Sequence, residues 1–114
     1  MEEFDIIIAK VPFEDSEDYK WRPVFILSVN GKAIKFLRIT TKYDTKSDCI
    51  KNKYFEIIDY IEAGLNRQSW IDTFKAYQLN DENFKIHVLG KLTERDFERA
   101  ITPSRNGLIV RILS

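Results

Sequence analysis

The chain has 114 residues, in which 18 basic and 18 acidic side chains cancel to zero net charge. That length builds one compact domain, and 44% apolar residues with eight Phe, five Tyr and two Trp can fill a single core without a metal or disulfide staple. A lone Cys49 excludes an intramolecular disulfide and reads as an inert thiol of a reducing, cytoplasmic compartment. The longest apolar runs, Ile6 to Ala9 and Val24 to Leu27, fall far short of the roughly 20 residues of a membrane span.

Met1 to Asp5 carries acids where a secretory leader carries Lys or Arg, so no signal peptide of ordinary form is expected. Phe4 to Val11 is apolar and rich in Ile, which predicts a strand ended by Pro12. Glu14-Asp15-Ser16-Glu17-Asp18 is too acidic for regular structure and predicts a loop of about ten residues. Pro23 then opens Val24 to Val29, apolar in both parities, as a central strand covered on both faces. Asn30-Gly31 predicts a type I′ hairpin, in which both residues take positive φ, with Lys32 to Thr41 as the partner strand.

Lys42 to Asn52 is polar and predicts a second loop, followed by a strand over Lys53 to Ile58. Asp59 to Gly64 predicts a turn or helical turn, although Ile57, Ile58 and Ile61 would also suit one helical face. Ser69 to Leu79 and Phe84 to Leu89 predict two more strands. One helix is signposted by Thr93 as N-cap, Asp96 as its capping-box partner and Leu92 placed to staple onto Phe97. Phe97, Ala100 and Ile101 share its apolar face and Pro103 stops it, while Gly107 to Leu113 reads as an added strand or a partner-binding segment. The pattern is mainly β: a strongly twisted sheet or small barrel of roughly five to seven strands with one short C-terminal helix.

Charge is unevenly spread. Residues 1–20 hold seven acids against Lys10 and Lys20, whereas residues 21–55 hold eight bases against Asp44 and Asp48. A local basic surface attracts a polyanion within a Debye length of about 8–10 Å even on a neutral molecule. The same lysines also suit a solvated sheet edge that discourages aggregation. Gly-rich phosphate loops, GxSxG elbows, HExxH motifs and Cys/His clusters with metal spacing are all missing from the sequence, so the usual nucleotide, serine-nucleophile and metal signatures are not there. His87, the only histidine, reads as an outward-facing or satisfied strand residue before it reads as a catalytic base.

The most informative residues occur in a fixed order. Val11-Pro12-Phe13 leads to Lys20-Trp21-Arg22-Pro23-Val24-Phe25-Ile26-Leu27-Ser28 and then to Ile39-Thr40-Thr41-Lys42. Gly64-Leu65, Ser69-Trp70-Ile71-Asp72 through Tyr77, and Leu89-Gly90-Lys91-Leu92-Thr93-Glu94-Arg95-Asp96 follow. This set resembles the MazF/PemK family of toxin endoribonucleases of toxin-antitoxin systems, over nearly the whole chain. The chain departs from that family in four ways: Phe4 precedes Asp5 where members usually carry Gly, the acidic loop is comparatively short, Trp70 stands near where some place a functional Arg, and the tail from Pro103 to Ser114 runs past the pattern.

The resemblance implies a small SH3-like barrel of the CcdB/PemK/MazF type. It also implies a homodimer, neutralised by a cognate antitoxin, that cleaves single-stranded mRNA sequence-selectively with no metal or other cofactor. The 2′-OH would attack its own phosphate, leaving 2′,3′-cyclic phosphate and 5′-OH ends. Arg22 and Thr40 are then the catalytic candidates. The planar fork of Arg22 suits two phosphate oxygens, Pro23 restricts Arg22 to extended dihedrals, and the Thr40 hydroxyl can donate to a non-bridging oxygen. Lys20, Lys42 and Asp72 are the RNA-binding candidates, Ser69 reads as structural, and Trp70 reads as core before it reads as a stacking platform. Because the CcdB type of gyrase poison shares this barrel, the alternative is a non-catalytic binding module, either gyrase-directed or a degenerate family member. An enzyme requires Arg22 and Thr40 to converge on one open groove, whereas Arg22 buried against Glu14 or Asp15 would favour the binding module.

Overall fold

The computed structural model describes residues 2–11, 20–79 and 85–101. These residues form six antiparallel strands, β1 (Asp5–Val11), β2 (Lys20–Asn30), β3 (Ala33–Thr40), β4 (Tyr54–Ile57), β5 (Ser69–Leu79) and β6 (Ile86–Lys91). They also form two helices, α1 (Asp48–Lys51) and α2 (Glu94–Ile101). The strands make one sheet in the order β4-β5-β3-β2-β1-β6. The fold is mainly β with a short C-terminal helix, as the residue pattern predicts; the single turn α1 is an addition, in the segment that reads as a loop. No helix of the described residues is long and apolar enough to cross a membrane. The loop expected after Pro12 and the tail from Gly107 to Leu113 lie outside the described residues, as do Glu14 and Asp15.

The first hairpin differs from its expected form. Asn30 pairs with Ala33, leaving Gly31-Lys32 as the loop, and among these residues only Gly31 has positive φ, at 63°. Gly at the first central position is the signature of a type II′ turn rather than the type I′ that Asn-Gly suggests. Both turns match the twist of the flanking strands, so the register that the strand pattern demands decides between them.

Strand alternation divides the buried residues into two clusters. Ile6, Phe25, Leu37, Ile39, Phe55 and Ile71 form the main core on one face of the sheet with Leu92 and Ala100, while Ile7, Ala9, Val24, Ile26, Ile34 and Phe36 form a second cluster on the other. β2 is therefore buried on both faces, which explains its apolar residues in both parities. On α2, Phe97 and Ala100 meet the main core, but Ile101 is exposed at the last turn.

Among the described residues β4 and β6 are the edge strands of the sheet, and the chain after β4 carries one edge onto the other. Residues 58–64 form a turn, in which Ala63 N–H donates to Asp59 O at 3.0 Å and Leu65 N–H to Tyr60 O at 2.8 Å, and this decides the helix-or-turn ambiguity at Ile57 to Ile61. Gly64, with φ 95°, lies so close to β6 that a Cβ there would overlap the Leu89 carbonyl oxygen. A Cβ at Gly90 would lie 2.5 Å from Ala63 O. Glycine admits this approach, and the result is a barrel-like closure.

Asp96 holds that closure in place. Thr93 caps α2 as expected, its Oγ1 accepting the Asp96 N–H at 3.4 Å, but the Asp96 carboxylate does not turn back to complete a capping box. It accepts N–H bonds from Ile58 at 3.2 Å and Asp59 at 2.8 Å, and it pairs with Arg99 at 2.7 Å while itself 0% exposed. Arg99 also donates to Glu56 O at 2.9 Å and lies over the Phe55 ring. Asp59 receives Arg95 Nε at 3.1 Å, the second Arg95 nitrogen and the Thr93 hydroxyl.

Phe4 begins the sheet in an unusual conformation. Asp5 N–H donates to Glu2 O at 3.2 Å, closing a β-turn whose third residue, Phe4, has φ 68°. Glycine is the usual occupant of such a position. Here the ring compensates by stacking on Phe25 at 5.8 Å and meeting Phe97 edge-on at 5.5 Å.

Replacing this ring should reveal the backbone cost: Phe4→Gly and Phe4→Ala both lose the stacking, but Gly is expected to be the more stable by about 1 kcal/mol because Ala keeps the left-handed strain. Equal unfolding midpoints for the two in urea would contradict this. Asp96→Ala strands two part-buried N–H groups and Arg99, and is expected to cost about 3–5 kcal/mol by the same measurement. The hydrogen bonds from Arg95 and Thr93, together with the Arg95 charge, hold the Asp59 carboxyl below its ordinary 3.8, against the opposing effect of burial. The charged form therefore stabilises the fold above that value, and the contribution is lost as pH falls through the depressed pKa. The stability difference between wild type and Asp59→Asn should be constant at neutral pH and shrink below pH 3.8.

Candidate functional site

The β2–β3 ladder begins at Asn30 and Ala33 beside the turn and ends at Val24 and Arg38. Beyond that rung the strands follow different neighbours. β2 continues beside β1, with Arg22 opposite Ala9 and Trp21 opposite Lys10, while β3 continues beside β5, with Ile39 opposite Ile71 and Thr40 opposite Trp70. Pro23, which has no N–H to give to a ladder, sits where the pairing stops. An open groove of about 280 Å³ occupies this divergence, lined by Trp21, Arg22, Pro23, Arg38, Ile39, Thr40, Thr41 and Lys42.

Alternation sets what faces the groove. Arg22 shares a sheet face with Val24 and Ile26, and Arg38 and Thr40 share one with Ile34 and Phe36, so these polar groups extend the face of the second apolar cluster. Arg22, Arg38 and Thr40 are half-buried and Lys42 is exposed. Among the described residues that line it, three carry positive charge and none is acidic. Such a site suits an anion with several oxygens, because guanidinium groups stay charged and hold oxygens two at a time.

The Thr40 hydroxyl is oriented locally. Lys42 N–H donates to Thr40 Oγ1 at 3.1 Å, which uses the oxygen as an acceptor and leaves the hydroxyl proton to be donated elsewhere. The loop carrying Lys42 is anchored from behind by Tyr43, whose ring stacks on Trp70 at 4.5 Å and 5°, with Lys51 Nζ 5.0 Å from the Tyr43 centroid. Trp70 is only 9% exposed and belongs to the core, as its sequence context predicts. Ser69 is buried, and its hydroxyl donates to Arg67 O at 2.8 Å, a structural role.

The structure thus brings Arg22, Thr40 and Lys42 together. Lys20 opens β2 opposite Val11, two residues before Arg22. Asp72 pairs with Arg38 across the β3–β5 ladder but does not line the groove; its Oδ1 accepts the Phe74 N–H at 2.9 Å. Tyr54, opposite Asp72 in β4, has its hydroxyl pushed above the ordinary 10.0 by burial and by Asp72, with Arg38 opposing, so it is a neutral donor at physiological pH. His87 is exposed and outside the groove lining, its ring 5.3 Å from that of Trp21. Cys49 is exposed, and no group of three or more His, Cys, Asp or Glu among the described residues could hold a metal ion.

Arg38, Trp21 and Thr41 line the groove beside the sequence candidates. The signal for Arg38 was present, since it precedes Thr40 by two residues in a strand and so must share its face. Trp21 and Thr41 flank candidate residues in sequence, and only the divergence of β2 from β3 makes them part of one wall. No protein-family model matches this chain, and no curated protein matches it either.

Proposed function

We propose that this chain is an endoribonuclease that cleaves single-stranded RNA by attack of a 2′-OH on the adjacent phosphorus. The P–O5′ bond breaks, and 2′,3′-cyclic phosphate and 5′-OH ends result. The observation that carries this reading is the convergence of Arg22, Arg38, Thr40 and Lys42 on one open groove. Charge accumulates on the non-bridging oxygens in the phosphorane, and preorganised donors aimed at that charge accelerate the step. Arg22 and Arg38 approach from opposite walls, the Thr40 hydroxyl donates to a non-bridging oxygen, and Lys42 attracts the neighbouring phosphate. The proton leaving the 2′-oxygen passes to solvent water and the departing 5′-oxygen takes one from water, while Arg22, which stays charged, stabilises the phosphorane.

The order of residues that resembles the MazF/PemK family extends this reading to a metal-independent, sequence-selective mRNA toxin that acts in the cytoplasm as a homodimer and is neutralised by an antitoxin. Among the described residues the groove lining carries three bases and no acid, which is complementary to an acidic antitoxin segment as well as to RNA. A binding module without catalysis needs a basic surface but not this convergence of donors.

Incubating the purified protein with a long single-stranded RNA in EDTA, followed by sequencing of the new ends and analysis of their phosphates, tests the reaction. Cleavage at a short motif with 5′-OH ends is expected, with Arg22→Ala slower by at least roughly 10²–10³. Thr40→Val should fall well below Thr40→Ser, because only Ser keeps a donor hydroxyl. Intact RNA across several sequences, from protein that is folded by circular dichroism, would instead favour the binding module. A monomer by sedimentation at micromolar concentration would remove the homodimer.

A further inference from the structure

We propose that Phe74 is a base-stacking platform for single-stranded RNA, a nucleotide-binding point outside the groove. It deepens the reading above by adding a subsite for the same strand. β3 and β5 pair Leu37 with Ala76 and then Arg38 with Asp72, so Thr73, Phe74 and Lys75 have no register partner in β3 and form a bulge. The bulge is pinned on both sides. Asp72 Oδ1 accepts the Phe74 N–H at 2.9 Å, and Thr73 donates to Lys53 O twice, from N at 2.7 Å and from Oγ1 at 2.6 Å.

On this fixed backbone Phe74 is 75% exposed, more than any other large hydrophobic side chain among the described residues. Bulges re-aim side chains and also protect strand edges, and β5 runs past the end of β4 here. Protection alone calls for a charged or kinked tip rather than an aromatic one. The surroundings match a polyanion. Lys53, whose carbonyl holds Thr73, and Lys75, next to Phe74 in sequence, are both exposed, and Lys75 Nζ lies 5.2 Å from the centroid of Tyr77, whose ring stacks on Phe36 on the same sheet face as Arg38. Asp72 lies two residues before Phe74, and its Oδ1 is engaged by the Phe74 N–H.

The platform is also close enough to share a strand with the groove. Opposed residues of an antiparallel pair have Cα atoms within about 5.5 Å, and two further residues add at most ~7.6 Å, which puts the Phe74 Cα within roughly 13 Å of Arg38 in the groove wall. Exposed aromatics beside cations are the standard device for gripping unpaired bases, since every base offers a π-face.

Fluorescence anisotropy with a labelled 2′-O-methyl oligoribonucleotide, which cannot be cleaved through its 2′ position, measures this binding apart from catalysis. Phe74→Ala is expected to weaken binding about 5- to 100-fold while leaving the salt dependence of Kd unchanged, because a stacking contact and not a phosphate contact is lost. Phe74→Trp is expected to keep the affinity and to add indole quenching on binding. An unchanged Kd in Phe74→Ala overturns the proposal, as does absence of binding by the wild type. A shift in sedimentation of Phe74→Ala relative to wild type would assign Phe74 to an interface between copies and would likewise overturn it. The two readings fail separately: Phe74-dependent binding without cleavage refutes only the nuclease, and cleavage with unchanged Kd and KM in Phe74→Ala refutes only the platform.

Discussion

The buried carboxylate of Asp96 is the contact on which the shape of this protein most depends. It binds the backbone of Ile58 and Asp59, far away in sequence, and pairs with Arg99, which reaches Glu56 and Phe55 at the end of β4. A buried charge is tolerated only when its oxygens are fully engaged, and here two N–H groups and a guanidinium meet that condition. The consequence is geometric. With the turn after β4 tied to α2, Ala63 and Gly64 are held against Leu89 and Gly90, and the β4 and β6 ends of the described sheet are drawn together around the main core.

Closing the sheet on one side leaves a divergence on the other. β2 is committed to β1 and β3 to β5, so their mutual pairing ends at Val24 and Arg38, and Pro23 removes a donor at that point. The groove is thus a product of strand partnership rather than of a flexible loop. Its chemistry follows from alternation: residues that continue the second apolar cluster's face beyond the last rung are Arg22 on one strand and Arg38 and Thr40 on the other. Support comes from the opposite flank of β3, where Trp70 holds Tyr43 and with it the loop that carries Lys42. Asp72 acts on the same strand, fixing the bulge that displays Phe74.

Phe4 illustrates how a local preference is overridden. Its β-turn position favours glycine, yet an aromatic side chain occupies it at φ 68°, held by contacts to Phe25 and Phe97 from β2 and α2. Local strain of this kind persists because the surrounding packing over-determines it.

By itself the sequence determined the strands, the two-sided burial of β2 and the Thr93 cap of α2, because apolar period, turn residues and caps act over a few neighbouring positions. It also singled out Arg22, Thr40 and Lys42, which the structure places at one groove. Only the tertiary structure decided that Asn30 is a paired strand residue and not a turn residue, that Asp96 serves the turn after β4 in place of its own N-cap, and that Trp21 and Thr41 belong to one groove wall. It likewise set Asp72 opposite Arg38 in the β3–β5 ladder, with its Oδ1 on the Phe74 N–H. Each of these depends on the register between strands or on a partner tens of residues away, and neither is encoded in the spacing of nearby residues: register is chosen by the packing of whole faces, and a buried carboxylate takes whichever donors the closed sheet brings to it.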